Sequence, residues 1–417
     1  MEPATANGGA MSGGAMLAGR TVLVTGGSGF IGGRLVERLV LEEGARVRAL
    51  VRGAASAARL ARFDLEFVRG EVTDRQTVAA AAAGCDAVFH CAYGTQGSQR
   101  HRAWINRQGT RAVCAAAKAA GVRRVVALST LMVYGATADG DLDERAPRRY
   151  FGNHYSNSKL DAERIALGSG APIVVLQPTA VYGPWGGVWT EQVLASLRCG
   201  RQILIDGGAG LCNAVYVDDL VSAMLLAAVR DGVDGEAFLI SGAEALTWRE
   251  AFERFARMLG GERRTVEMSV AEARAYWRRS QSARPRLLGE LRRAVAGDEG
   301  LRRRLMSTRE VMFLRETAST LLPESWQRRI KARMGERRGM VPQASDELPI
   351  HPLPPKMITF FRARTRVRID KARRLLGWEP QFDFARGMEL TEQWARWANL
   401  LGEPAAALDE LTGTASE

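Results

Sequence analysis

The stretch Thr25–Gly32, with the sequence TGGSGFIG, decides the fold. It follows a short β-branched run and opens a helical segment, which is the setting in which a glycine-rich turn binds a dinucleotide. Such a turn needs glycine for a tight bend, for close approach of the backbone to a pyrophosphate and for packing of helix on strand. Gly27, Gly29 and Gly32 match this spacing, and Gly26 adds an earlier glycine. The sequence therefore predicts a βα unit whose helix N-terminus faces an anion.

Short β-branched runs alternate with longer helical stretches on both sides of this turn. Because strands separated by helices form βαβ units, the chain is predicted to be an α/β protein with a doubly wound Rossmann sheet of parallel strands. A helix is predicted from about Val217 to Val229, beginning with two aspartates that suit a helix N-terminus. The predicted strands are Thr21–Thr25, Arg46–Val51, Leu65–Val68, Ala87–Cys91, Arg124–Ser129, Ile173–Gln177 and Ala237–Ile240.

The length of 417 residues exceeds what one compact core usually holds, so a second lobe is expected. The Rossmann domain is predicted to comprise residues 20–184 and 214–243. A smaller, mostly helical C-terminal lobe that encloses the substrate is predicted from residues 185–213 and 244–400. Residues 1–19 and 401–417 are interpreted as flexible tails.

The composition excludes several classes of protein. A hydrophobic fraction of 46% and a charged fraction of 25% are typical of globular domains and not of disordered, collagen-like or coiled-coil chains. No apolar run approaches the ~20 residues that cross a bilayer. The five cysteines show no CxxC pairing, so they are predicted to be reduced thiols in a cytoplasmic protein, with no metal site.

Positive charge is concentrated in one region of the chain. The 58 Lys and Arg residues exceed the 46 Asp and Glu residues, which gives a net charge of +12, and residues 261–350 carry most of the excess. An Arg-rich helical insertion is predicted at about 271–350. Apolar residues among its arginines suit either a basic lid packed on the core or an interfacial helix that makes peripheral membrane contact. No nucleic-acid partner is predicted, because no reader motif accompanies the charge.

Arg52 bears on the choice of cofactor. It follows the second predicted strand, where an NAD-specific site would place Asp or Glu against the ribose 2′-hydroxyl. A guanidinium fits a 2′-phosphate by bidentate hydrogen bonding, so the sequence favours NADP over NAD.

Tyr155 and Lys159 form a candidate catalytic pair. Their i, i+4 spacing places both on one face of a helix. A free Tyr titrates near ~10, so proton exchange at neutral pH requires a nearby cation that favours the phenolate. Ser129 and Thr130 lie at the end of a predicted strand, at the edge of the sheet where ligands bind.

These motifs together resemble the extended short-chain dehydrogenase/reductase family, of the NAD-dependent epimerase/dehydratase type. The resemblance covers about 21–260 and 366–394 and is carried by the glycine turn and six further stretches. These are Gly70–Asp74, Val88–Ala92, Asn106–Thr110, Gln177–Pro184 and Val215–Asp219, followed near the end by Leu376–Pro380.

The resemblance implies a catalytic triad of Thr130, Tyr155 and Lys159. Tyr155 is then the general acid/base, Lys159 lowers its pKa and holds the nicotinamide ribose, and Thr130 binds the reacting oxygen. It also implies a homodimer through a four-helix contact. The full set of predicted cofactor-binding residues is Gly26, Gly27, Ser28, Gly29, Phe30, Ile31, Gly32, Arg52, Glu71, Val72, Cys91, Ala92, Asn106, Tyr155, Lys159 and Pro178.

Departures from the family pattern narrow the reaction. Leu131 and Met132 stand where nucleotide-sugar dehydratases carry an acidic pair, and Gln177, Ala180 and Cys212 stand where many epimerases bind a substrate diphosphate. The sequence therefore favours a reductase or dehydrogenase that interconverts an alcohol and a ketone of a small molecule with exchangeable NADP(H). A carbohydrate epimerase with retained NAD is the alternative, and a non-catalytic Rossmann scaffold or membrane-surface module is a third.

Overall fold

The computed structural model describes residues 15–401 apart from 96, 136–138, 151, 153, 262–263 and 283–347. Within these residues a seven-stranded parallel sheet forms the centre of the molecule. Its strands are β1 (Thr21–Thr25), β2 (Arg46–Val51), β3 (Glu66–Arg69), β4 (Ala87–His90), β5 (Arg124–Leu128), β7 (Ile173–Pro178) and β11 (Ala237–Ile240). The predicted Rossmann fold is therefore confirmed.

The strand order is β11-β7-β5-β4-β1-β2-β3, so the chain reverses its direction of travel between β1 and β4. At this switch point the crossovers leave in opposite directions, and a crevice opens at the carboxyl ends of the two strands. Thr25 and His90 are the last residues of β1 and β4 and lie opposite each other. The glycine turn begins at this point.

Helices cover both faces of the sheet, and their apolar sides form two buried clusters with its strands. The sheet helices are α1 (Phe30–Leu41), α2 (Ala54–Ala57), α3 (Arg75–Ala82), α4 (Gln99–Ala119), α5 (His154–Leu167) and α7 (Val217–Val229). The bounds of α7 agree with the prediction. In the described residues no helix has the length and apolar character needed to span a membrane.

The second lobe contains α6 (Gln192–Cys199), α8 (Trp248–Met258), α9 (Val270–Ser282), α10 (Pro355–Arg362) and α11 (Phe384–Trp397). Helix α8 begins with a capping box in which Thr247 accepts from the Glu250 backbone and Glu250 reaches back to Thr247. Its buried Trp248, Ala251, Phe252 and Phe255 follow the i, i+3, i+4, i+7 spacing of one helical face. This face packs against a third apolar cluster in the second lobe.

Short strands that the sequence did not predict also organise this lobe. They are β6 (Gly140–Leu142), β8 (Ala180–Tyr182), β9 (Gln202–Ile205), β10 (Ala214–Tyr216), β12 (Thr265–Met268) and β13 (Thr365–Val367). They pair in parallel as β8 with β10, β9 with β12 and β6 with β13. Strands of three or four residues are too short for a periodic pattern to stand out, so the lobe is less purely helical than predicted.

The expected N-terminal tail needs a correction. Leu17 is only 4% exposed and packs in the main core, and the Met16 and Leu17 N–H groups donate to the Glu43 carboxylate. Residues 15–19 are therefore part of the fold, because Leu17 supplies an apolar anchor. The rest of that predicted tail, the C-terminal tail from 402 and most of the Arg-rich insertion lie outside the described residues.

The Val215–Asp219 and Leu376–Pro380 motifs attach the segment around Trp378 to α7. The Trp378 indole donates to the Asp219 carbonyl oxygen at 3.0 Å, and the Asp219 carboxylate accepts from the Gln381 and Phe382 N–H groups. Burial raises the pKa of Asp219 to about 6. These motif residues therefore have a structural role.

Candidate active site

The glycine turn has the geometry of an anion cradle. Gly26 has φ +74° and lies so close to Ala92 that a Cβ would come within 2.6 Å of the Ala92 nitrogen. A Cβ on Gly32 would lie 2.3 Å from the Gly26 oxygen. The tight bend that the sequence analysis expected within the Gly27, Gly29 and Gly32 pattern is thus made by Gly26. Gly32 allows the close packing of α1 on β1.

The N-terminus of α1 is open to a ligand. Its N-cap residue, Gly29, supplies no side-chain cap, and no acidic residue lies in the first turn. Ser28 and Gly29 are exposed, whereas Phe30 and Ile31 are half-buried. Unsatisfied N–H groups at a helix N-terminus attract phosphate, so the predicted turn residues fit the pyrophosphate of a dinucleotide.

Two arginines flank this turn. Arg52 is exposed immediately after β2, as the sequence predicted. Arg59, which the sequence analysis did not single out, donates to the Gly29 carbonyl oxygen at 3.1 Å. Its guanidinium also lies 4.8 Å from the centroid of the Trp185 ring.

The other predicted adenine-side residues lie after β3. Glu71 is exposed and Val72 is half-buried against Gly109, where an added Cβ would lie 2.9 Å from a Val72 methyl group. Asp74, the second acid of this motif, caps α3 by accepting from the Gln76 and Thr77 N–H groups. Because Asp74 is used as a helix cap, Glu71 is the acid of this motif that is available to a ligand.

The structure brings Tyr155 and Thr130 together. Thr130 follows β5 and is 7% exposed, Tyr155 lies in the first turn of α5, and the Thr130 hydroxyl lies beside the Tyr155 phenol. Burial raises the pKa of the Tyr155 phenol to about 12, and the Thr130 hydroxyl partly offsets this rise. Two hydroxyl groups thus meet at the carboxyl edge of the sheet.

Lys159 lies one turn further along α5. Its Nζ donates to the Leu128 carbonyl oxygen at 2.9 Å and lies 5.1 Å from the centroid of the Tyr93 ring. Burial lowers the pKa of the ammonium to about 8, while Cys91 and Glu163 act in the opposite direction. Lys159 is not among the groups that shift the pKa of Tyr155, so the contact expected between them is not made in this arrangement.

Tyr93 is the main residue of this site that sequence reasoning missed. Its ring packs edge-on against Tyr155 with the centroids 5.3 Å apart. Its hydroxyl lies beside Ser158 and Asn106. The signal that could have found it is its position two residues after Cys91, in the segment already assigned to the cofactor.

Asn106 has a different role from the one predicted. It is 5% exposed, its Oδ1 accepts from the Gly94 N–H at 3.0 Å, and its Nδ2 donates to the Ser158 hydroxyl at 3.0 Å. Ser158 donates in turn to the Tyr155 carbonyl oxygen. Asn106 therefore positions the start of α5, and its assignment as a cofactor contact stays a prediction.

His90 completes a buried polar chain behind the site. Thr110 donates to the Asn106 carbonyl oxygen, so its hydroxyl accepts from His90 Nε2, 3.2 Å away. His90 Nδ1 then accepts from the Thr25 hydroxyl at 2.8 Å. Burial, assisted by the charge of Lys159, lowers the pKa of His90 to about 3. The imidazole is therefore neutral and structural.

The remaining predicted cofactor residues lie at the same edge. Cys91 and Ala92 follow β4. Burial raises the pKa of the Cys91 thiol to about 12, so this thiol is neutral at physiological pH. Pro178 ends β7. In the described part of the chain no group of three or more His, Cys, Asp or Glu residues could hold a metal ion.

The sequence profile of the NAD dependent epimerase/dehydratase family matches residues 22–241. The chain therefore belongs to this family, whose members are NAD(P)-dependent oxidoreductases and epimerases.

Two curated relatives and one solved structure are similar to the chain. The 4-hydroxy-2-methyl-3-oxo-4-farnesyl-3,4-dihydroquinoline-1-oxide ketoreductase of Stigmatella aurantiaca is 36% identical over 53% of this chain and 68% of its own length. The 2-alkyl-3-oxoalkanoate reductase of Stenotrophomonas maltophilia is 32% identical over 61% of this chain and 80% of its own length. The structure of a dTDP-glucose 4,6-dehydratase from Bacillus anthracis in complex with NAD covers 91% of this chain and 97% of its own, with a TM-score of 0.60 and 18% identity. At that identity the last likeness bears on the fold alone.

Proposed function

We propose that this protein is an NADP(H)-dependent carbonyl reductase that interconverts a ketone and a secondary alcohol, with Tyr155 as general acid/base. The observation that carries the proposal is the position of the Thr130 hydroxyl beside the Tyr155 phenol at the carboxyl edge of the sheet. A carbonyl oxygen placed between the Thr130 and Tyr155 hydroxyl groups would accept a hydrogen bond from each.

The bound dinucleotide supplies the redox chemistry, because its reduced nicotinamide donates a hydride to a carbonyl carbon. The glycine turn, with the exposed backbone of Ser28 and Gly29 at the start of α1, holds its pyrophosphate. Arg52, Glu71 and Val72 line its adenosine side, and Cys91, Ala92 and Pro178 line its nicotinamide side.

The protein's own residues handle the proton. Tyr155 donates its phenolic proton to the carbonyl oxygen, and Thr130 donates a second hydrogen bond to that oxygen. Because burial raises its pKa to about 12, the phenol is protonated at neutral pH and has a proton to give. To stabilise the phenolate left behind, the Lys159 ammonium would have to turn from the Leu128 carbonyl oxygen toward the Tyr155 oxygen.

Reduction fits the chain better than epimerisation. The buried Gln177 side chain donates to Glu163 and accepts from Tyr134, and Cys212 is buried, so neither presents a cation to a diphosphate. The names of both curated relatives denote reduction of oxo compounds, one bearing a farnesyl group and the other an alkyl group. These names support the same class of reaction here.

The preference for NADP rests on Arg52 and gains support from Arg59. Both flank α2, and Arg59 reaches the glycine turn through the Gly29 carbonyl oxygen. Two guanidinium groups near a 2′-phosphate would each form charge-assisted hydrogen bonds, whereas an NAD ribose hydroxyl would leave them with a weaker partner.

A fluorescence titration with NADPH and NADH tests the cofactor assignment, after a denatured sample has been checked for retained dinucleotide. We expect an empty site that binds NADPH more tightly, and we expect Arg52→Ala to weaken NADPH binding about 10- to 100-fold, as for a lost charged hydrogen bond. Arg62→Ala is the matched control, since Arg62 is an exposed arginine of the same segment that pairs with Glu37. Retained NAD would instead favour the epimerase, and absence of binding would favour the scaffold.

The homodimer and the peripheral membrane contact stay predictions. Helices α4 and α5 lie side by side, and Trp104 on α4 is 44% exposed, so this pair is one candidate for the predicted four-helix contact. The proposed membrane contact falls on residues outside those described.

A further inference from the structure

Arg59 lies beside the first turn of α1 without an acidic partner. It is half-buried, its guanidinium donates to the Gly29 carbonyl oxygen at 3.1 Å, and a Cβ added to Gly33 would lie 2.8 Å from its Cζ. Among the described residues no Asp or Glu forms an ion pair with Arg59, and the nearby Glu37 pairs with two other arginines. Burial lowers the pKa of Arg59 in spite of the charges of Glu37 and Glu191. A partly desolvated cation without a carboxylate is stabilised by an anionic ligand.

Trp185 of the second lobe covers this guanidinium. The centroid of its ring lies 4.8 Å from the Arg59 Cζ. The ring also packs on Trp394 and Trp397 of α11, with centroids 5.6 and 6.1 Å apart. Trp185 has φ +67°, in the left-handed region that costs free energy for a residue with a side chain, and such conformations persist where surrounding contacts fix them, often at ligand-binding sites. The indole is therefore held on Arg59 in spite of backbone strain.

The Arg59–Trp185 pair lies next to the place proposed for the pyrophosphate. Gly186 packs on Phe30, the first residue of α1, since a Cβ on Gly186 would lie 3.2 Å from the Phe30 ring. Gly29 is the N-cap of the same helix, so the guanidinium lies within one helical turn, ~5.4 Å, of its free N–H groups. A guanidinium has five N–H donors, and in the described part of the chain Arg59 uses one acceptor, the Gly29 carbonyl oxygen. Arg59 can therefore bind a phosphate without leaving Gly29 or Trp185.

We propose that Trp185 is a positioning residue for the dinucleotide, because its indole holds the Arg59 guanidinium at the N-terminus of α1 to bind a phosphate group of NADP(H). The inference rests on the proposed function for the identity of the ligand. The phosphate is either the pyrophosphate or the 2′-phosphate, which present the same anionic oxygens to an arginine. The second lobe, to which the sequence assigned the substrate alone, then takes part in cofactor binding.

Titration calorimetry of NADPH binding to wild type and to Trp185 variants tests the proposal. We expect Trp185→Ala to raise the dissociation constant about 3- to 30-fold, as for loss of a cation–π contact, and Trp185→Phe to stay within about twofold of the wild type, because a phenyl ring still offers its face. Trp397→Ala is the matched control and should bind like the wild type, since Trp397 is 75% exposed and contacts Trp185 but not Arg59. Wild-type affinity in Trp185→Ala would overturn the proposal.

A double-mutant cycle separates positioning from a general loss of structure. Arg59→Ala should weaken NADPH binding about 10- to 100-fold, as for a lost charged hydrogen bond. Since Trp185 acts through Arg59, adding Trp185→Ala to Arg59→Ala should cause no further loss. The same fold-loss from Trp185→Ala in both backgrounds would show that the indole acts independently of the guanidinium, which would overturn the proposal.

NADH binding and ketone reduction are measured on the same variants. A loss for NADPH alone assigns Arg59 to the 2′-phosphate, and equal losses for NADPH and NADH assign it to the pyrophosphate, so both outcomes uphold the proposal. At saturating NADPH, Trp185→Ala should reduce ketones at the wild-type kcat, because Tyr155 and Thr130 are unchanged. If the cycle behaves as expected but no ketone is reduced, the positioning role stands and the proposed reaction fails. If the wild type reduces ketones and Trp185→Ala binds NADPH equally well, the reductase stands and the positioning role fails.

Discussion

Tyr93 places a second phenol beside Tyr155, the predicted general acid/base. Its ring contacts the Tyr155 ring and has the Lys159 ammonium on its face, while its hydroxyl lies beside Ser158 and Asn106. One side chain therefore restrains both members of the predicted pair. The ring contacts should matter more than the hydroxyl, because only the ring touches Tyr155 and Lys159.

Replacing Tyr93 separates these two contributions. We expect Tyr93→Phe to change kcat/KM for ketone reduction by less than about fivefold, and Tyr93→Ala to lower it about 10- to 100-fold, since an aromatic pair and a cation–π contact are each worth about 1 kcal/mol. Tyr150→Ala is the control, as Tyr150 is 54% exposed and bonds Asp161 on the outer side of α5. Equal losses in the Phe and Ala variants would contradict a role for the ring.

The turn between β1 and α1 depends on glycine at two points for different reasons. Gly26 needs its positive φ and its approach to Ala92, whereas Gly32 needs the absence of a Cβ so that α1 can pack on the Gly26 oxygen. The sequence predicted this turn from spacing alone. It did not predict that Gly26, which lies outside the fingerprint, has the left-handed conformation. The close approach of Gly26 to Ala92 exists only once β4 lies beside β1.

Gly32→Ala tests the packing of α1. The new methyl group must displace backbone, so we expect a loss of about 1–3 kcal/mol in the free energy of unfolding and much weaker NADPH binding. Gly187→Ala provides the comparison, because an added Cβ there has nothing within 4 Å. Denaturant unfolding and NADPH titration measure the two effects, and a Gly32→Ala protein that binds NADPH like Gly187→Ala would contradict the assigned role.

Element length explains which parts of the fold the sequence could predict. The seven strands of the main sheet lie within a residue or two of their predicted positions, because each is an apolar run flanked by helices. The three-residue strands β8 and β10 were not predicted. They are strands because they pair with each other, and their local sequence carries no strand pattern.

Side chains far apart in sequence determine the rest of the site. Arg59 reaches Gly29 and Trp185, and Trp185 packs on Trp394 and Trp397 of α11, so the glycine turn is linked to the C-terminal helix. Thr130, Tyr155 and Lys159 were predictable because the helix spacing and strand end that carry them are local. The link through Arg59 was not, since it exists only once both lobes have folded.

The buried chain through His90 joins four elements, β1, β4, α4 and α5, into one unit. Because the folded-state pKa of His90 is about 3, against an ordinary value of 6.5, the unfolded chain binds more protons between these pH values. This contribution to stability is therefore complete above about pH 6.5 and is lost as the pH falls toward 3.

His90→Gln tests this linkage, since an amide can still donate and accept but does not titrate. We expect the free energy of unfolding of the wild type to fall more steeply than that of His90→Gln between pH 6.5 and pH 4. His101→Gln should follow the wild type, because His101 is exposed on α4. Parallel curves for wild type and His90→Gln would show that the imidazole is not held neutral by burial.

The most direct test of ketone reduction through Tyr155 is the stoichiometry of NADPH oxidised to alcohol formed, measured over a panel of aliphatic, cyclic and aromatic ketones. We predict one NADPH oxidised per alcohol for at least one ketone, with Tyr155→Phe slowing kcat at least about 100-fold, as for loss of a general acid, while NADPH still binds. A Tyr155→Phe protein with undiminished turnover, or a wild type that oxidises no NADPH with any ketone, would contradict it.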